Sequence, residues 1–92
     1  MKPAVDQERA ERAIATLKRV QFSPVTTAIT ELATLSRDLA PRTVYGDQRH
    51  DAFVEIQKLR EALARFPNSP DVGALWESAT VKTGAWRQWL LS

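Results

Sequence analysis

The chain contains no cysteine, and that absence removes disulfides, thiolate metal sites and a thiol nucleophile together. Histidine occurs once, at His50, so a two-histidine zinc motif cannot form on one helix, and a histidine-paired nucleophile would have to run through that residue. Glycine is scarce too, with three in 92 residues. No Gly-rich phosphate loop exists, and Val81-Lys82-Thr83-Gly84 has the residue types of such a loop's end without its glycines or order. No window approaches the roughly 18 apolar residues of a membrane span, and the opening MKPAVDQERAER carries charges where a secretory signal needs an apolar run. These absences lead us to expect a cytoplasmic protein without membrane contact, cofactor, metal or catalytic residues.

What remains is an ordinary globular composition, 43% apolar and 26% charged, in a length that closes one core over residues 1–92 and leaves nothing for a second. The net charge is +2, from 13 basic and 11 acidic side chains. It is thinly spread, and nucleic-acid binders usually gather their Lys and Arg on one face.

Apolar spacing predicts an all-α protein. The least ambiguous segment is Ser23 to Ala40, SPVTTAITELATLSRDLA. Ser23 stands as N-cap, Pro24 sits at the first helical position, and Val25, Ala28, Ile29, Leu32, Leu35 and Leu39 recur at three- and four-residue steps before Pro41 ends the helix. Residues 4–22 repeat the spacing with Ala10, Ala13, Ile14, Leu17 and Val20, opposite a mixed-charge face of Asp6, Glu8, Arg9, Glu11, Arg12, Lys18 and Arg19 read as solvated. Residues 41–46, PRTVYG, read as a loop with Val44 and Tyr45 tucked inward, and Asp47 can cap the third helix, whose apolar set is Ala52, Phe53, Ile56, Leu59, Leu63 and Phe66. FPNSP then breaks the chain. Ser69-Pro70 opens a fourth helix with stripe Val72, Leu75, Trp76 and Ala79, and Thr80 to Gly84 reads as a turn before a short last helix bearing Trp86, Trp89 and Leu90. The expected fold is a compact four- to five-helix bundle of two helical hairpins plus that short C-terminal helix. SPVTTAITELATL and SPDVGALWESATV share Ser, Pro, Ala, Glu, Ala and Thr at matched positions, a hint that the hairpins are related.

Two features exceed what a core requires. Thr26, Thr27, Thr30 and Thr34 fall in an arc of roughly 100° opposite the apolar stripe of the second helix, although branched Thr is a mediocre helix former. An uncharged face of this kind suits protein docking, since interface centres are depleted in charge. The three tryptophans all lie within residues 76–89, and a two-turn helix carrying Trp86, Trp89 and Leu90 is too short to stand alone. It closes either this core or an interface, with a second copy or another protein, and the interface is the expectation favoured here. Asp47, Asp51 and Glu55, at i, i+4 and i+8 beside His50, could in principle hold a divalent cation. An acidic first turn complementing the helix dipole is the reading preferred for them.

Two short stretches resemble known families. Leu75 to Leu90, LWESATVKTGAWRQWL, resembles a helix-turn-helix unit, with Val81-Lys82-Thr83 as turn and Ala85 to Leu90 as recognition helix. Trp76 and Thr80 depart from that family's usual small residue and Gly. The resemblance implies Thr83, Arg87 and Gln88 near base edges and Lys82 near phosphate. Ala62 followed by Phe66-Pro67-Asn68-Ser69-Pro70 is similar to the hinge between tetratricopeptide repeats. The function expected from the whole sequence is a small intracellular protein-binding regulator, inhibitor, anti-activator or adaptor, using Thr26, Thr27, Thr30, Thr34, Trp86, Trp89 and Leu90. The alternative is a DNA-binding regulator using Lys82, Thr83, Arg87 and Gln88.

Overall fold

Four apolar stripes on one chain must cover one another, and the computed structural model, which describes residues 4–40 and 46–92, has four helices doing so. They are α1 (Ala4–Val20), α2 (Val25–Leu39), α3 (Gln48–Arg65) and α4 (Asp71–Leu91). Short turns make successive helices antiparallel neighbours, and α1 also packs along α4, which closes the four into a ring. Cross-links confirm the directions. Arg19 meets Glu31 low on α1 and α2, Glu55 meets Ser78 across α3 and α4, and Gln7 reaches the Leu90 carbonyl where α1 begins and α4 ends. The bundle measures 42 × 22 × 21 Å.

The stripes form the core. Ala10, Ala13, Leu17 and Val20 of α1 meet Ala28, Leu32, Leu35 and Leu39 of α2, and Ala52, Ile56, Leu59 and Leu63 of α3 meet Trp76, Ala79, Trp86 and Leu90 of α4. Small alanines facing large leucines and tryptophans let the layers interdigitate at close-packed density.

The count is four, so the short fifth helix is corrected. Thr80 to Gly84 continues α4 without a turn, because Thr83 is fully buried and satisfies its hydroxyl on the Ala79 carbonyl at 2.8 Å. A β-branched residue so bonded fits inside a helix, and the stripe runs on through Trp76, Ala79, Thr83, Trp86 and Leu90.

The helix ends differ from expectation at Ser23 and Phe66. Asp47 caps α3 by accepting from the Arg49 amide at 3.0 Å, and Gly46 before it takes φ 88°, a conformation natural to glycine. Ser69 accepts from the Asp71 amide at 3.2 Å, as a residue before a helix-opening Pro should. Ser23 turns the other way. It donates to the Arg19 carbonyl at 3.3 Å and closes the end of α1, so the first residue of α2 follows Pro24 without a side-chain cap. Phe66, placed in the apolar set of α3, lies past its end and is 65% exposed, and Phe22 in the α1–α2 turn is 87% exposed. The expected inward position of Val44 and Tyr45 falls outside the described residues.

Candidate protein-docking face

Ile29, Leu32 and Leu35 anchor α2 inward, and that orientation turns Thr26, Thr27, Thr30 and Thr34 outward, all four exposed. From Val25 to Thr34 the outward side chains of α2 carry no charge except Glu31, whose side chain is 36% exposed and paired with Arg19, over a length of roughly 12–15 Å at 1.5 Å per residue. Two of the four threonine hydroxyls are spent locally. Thr30 donates to the Thr26 carbonyl at 3.1 Å and Thr34 to the Thr30 carbonyl at 3.2 Å, and Arg37 donates from Nη2 to Thr34 Oγ1 at 3.4 Å. Covering such a face strips little water from unsatisfied donors, which lowers the desolvation cost of docking.

The face is bounded by a cleft of about 280 Å³ lined by Thr26, Thr27, Thr30 and Glu31, and by a second of about 430 Å³ between α1 and α2 that Thr34, Leu35, Arg12 and Asp38 help to form. Ion pairs cross its α1 edge, Arg19 to Glu31 at 3.2 Å and Arg12 to Asp38 at 3.9 Å. Exposed pairs of this kind contribute little stability, but they mark a boundary where the neutral face gives way to the charged flank of α1.

The tail residues separate. Trp86 is 1% exposed and Leu90 is buried too, both in contact with the core of this chain. Trp89 is 41% exposed, and Leu91 lies on the rim of a cleft of about 520 Å³ between α1 and α4. Thus α2 gathers the four threonines on one surface, whereas Trp86, Trp89 and Leu90 do not form a common exposed patch with them.

The residues drawn from the helix-turn-helix resemblance do not adopt that geometry. Val81, Lys82 and Thr83 lie within one uninterrupted helix, Thr83 is buried, and Arg87 is paired with Glu11 of α1. Lys82 and Gln88 remain exposed. Around His50, Asp47 is spent on its cap and Glu55 accepts from Ser78 at 2.9 Å and from Lys58 at 3.3 Å. Among the described residues no group of three or more His, Cys, Asp or Glu is placed to hold a metal ion, and no helix is long and apolar enough to cross a membrane.

One cluster escaped the sequence reading. Asp6, assigned to the solvated face of α1, is buried beside the nearly inaccessible Arg49 of α3, Oδ1 accepting from Nη1 at 3.4 Å and from Arg9 Nη1 at 3.2 Å. Arg49 also donates to the Asp38 carbonyl at 3.1 Å, and its guanidinium lies 6.0 Å from the Trp86 ring centroid. This clasp ties all four helices at the end of the bundle opposite Phe22 and Phe66. No protein-family model, curated protein or solved structure matches the chain.

Proposed function

We propose that this protein acts by binding another protein through the outer face of α2, as a small regulator, inhibitor or adaptor. The observation that carries the reading is the uncharged surface of Thr26, Thr27, Thr30 and Thr34, with the hydroxyls of Thr30 and Thr34 already bonded to the helix backbone. Such a surface meets a partner without losing rotamer-rich charged side chains and with two of its four hydroxyl donors already bonded. The opposite condition holds on α1, whose outward residues Glu8, Glu11, Arg12, Lys18 and Arg19 favour water.

The test is affinity capture from cell extract with the wild-type chain and with the double substitution Thr27→Lys and Thr30→Lys. Both positions are exposed, so the variant should melt as the wild type does. A partner retained by the wild type and lost by the variant supports docking through α2. Capture of the same proteins by both, at equal yield, would place the contact elsewhere and overturn the proposal.

A further inference from the structure

The groove between α2 and α3 differs electrostatically from its neighbours. It is about 310 Å³, within the size range of small-molecule sites, and Arg37 of α2 and Arg60 of α3 stand at its sides. No carboxylate lines it among the described residues. That is unusual in this chain, where Arg9, Arg12, Arg19, Arg49 and Arg87 each sit in an ion pair with Asp or Glu. Arg37 and Arg60 instead touch neutral acceptors. Arg37 donates to Thr34 Oγ1, and Arg60 donates from Nε to Gln57 Oε1 at 3.0 Å. Each planar guanidinium has five N–H donors, so most of the donor capacity on both sides of the groove is uncommitted.

The walls add the rest of a site. Phe53 and the small side chains of Ala33 and Ala40 give an apolar surface. At the floor Ser36 is 6% exposed, and its hydroxyl has no hydrogen-bond partner. A buried hydroxyl left unsatisfied is destabilising, and here it lies beneath two unpaired cations.

We propose that the α2–α3 groove binds a small organic anion, a carboxylate or phosphate carried on an aromatic or aliphatic body. The acid group is held between Arg37 and Arg60 by charge-assisted hydrogen bonds, the geometry for which arginine is suited. The body packs on Phe53 and the alanine wall, and the apolar contact selects an organic anion over a bare inorganic one. This site adjoins the threonine face at the Arg37–Thr34 contact and does not depend on protein docking there.

The experiment is an NMR titration of the full chain, following backbone amides with phenyl phosphate, inorganic phosphate and benzyl alcohol as probes. Phenyl phosphate should give saturable shifts at Ser36, Phe53, Gln57 and their neighbours, and Arg37→Gln and Arg60→Gln should each weaken it at least tenfold. Arg65→Gln, a cation outside the groove, should bind as the wild type does. Arg37 is exposed, so R37Q keeps the fold and decides the question if R60Q is unstable. Absence of saturation up to the solubility of the probe, shifts mapping to another surface, or an affinity unchanged in R37Q would overturn the site. Equal affinity for inorganic phosphate, or saturation by benzyl alcohol, would overturn the assignment of an organic anion.

Discussion

Replacing Asp6 by Asn keeps the shape of the side chain and removes its charge, and the structure predicts that this small change is among the most damaging available. Asp6 is a carboxylate partner of Arg49, whose side chain is 4% exposed. Without that charge, Arg49 loses an ion-pair partner and keeps its bond to the Asp38 carbonyl and its place beside the Trp86 ring. Breaking a buried pair from one side costs about 3–5 kcal/mol, because a charge stays buried without its counterion. The reverse change is milder. Arg49→Met leaves Asp6 in contact with Arg9 at 3.2 Å and fills the site with an apolar chain of similar length, so a loss of about 1–3 kcal/mol is expected. Urea unfolding, with unchanged slopes, measures both. For a domain of this size a loss of 4 kcal/mol lowers Tm by roughly 15–30 °C. The double variant should be more stable than Asp6→Asn alone, since it removes the buried cation together with the carboxylate that faced it. A larger loss for Arg49→Met than for Asp6→Asn, or single losses that add to within about 0.3 kcal/mol, would refute the reasoning.

Three further outcomes follow from burial and capping. Leu32→Ala and Ile56→Ala, both at fully buried positions, should each cost about 2–5 kcal/mol in urea unfolding, whereas Phe22→Ser, at an 87% exposed residue, should cost under about 0.5 kcal/mol. Deleting residues 84–92 removes Trp86 and Leu90 from the core and should abolish cooperative melting, and the tryptophan emission of the intact chain should not shift on dilution; a folded truncation would oppose the packing described. Asp47→Ala should cost about 1 kcal/mol by freeing the Arg49 amide from its cap, which differential scanning calorimetry reads directly.

Periodicity carried the first three helices because their stripes are made of residues with no other explanation. Ala10-Ala13-Leu17-Val20, Ala28-Leu32-Leu35-Leu39 and Ala52-Ile56-Leu59-Leu63 are each buried on one side of a helix. The fourth was cut short because Thr83 and Gly84 look like turn residues in isolation, and a buried Thr bonded to its own backbone carries no local mark. Stepping the stripe forward from Ala79 to Thr83, Trp86 and Leu90 would have kept the helix whole. The clasp was legible by the same extrapolation in reverse. Asp6 lies one turn before Ala10 and Arg49 one turn before Ala52, so each extends an apolar stripe with a charge. Their pairing across 43 residues is a tertiary fact that no local pattern contains. The threonine face was readable from spacing alone; the Arg37–Arg60 groove was not, because it joins two helices through positions that look solvated on each.

The closed ring of helices also decides how the molecule would bear a load. α1 begins where α4 ends, with Gln7 on the Leu90 carbonyl and Glu11 on Arg87 one turn further along. Tension applied through both ends of the chain would therefore pull α1 from α4 in a peeling direction, parting these contacts one after another. Tension applied between the Phe22 turn and the chain's end would run along the helices and oppose many contacts at once. The same bundle is thus soft as a link in series at its termini and stiff along its long axis.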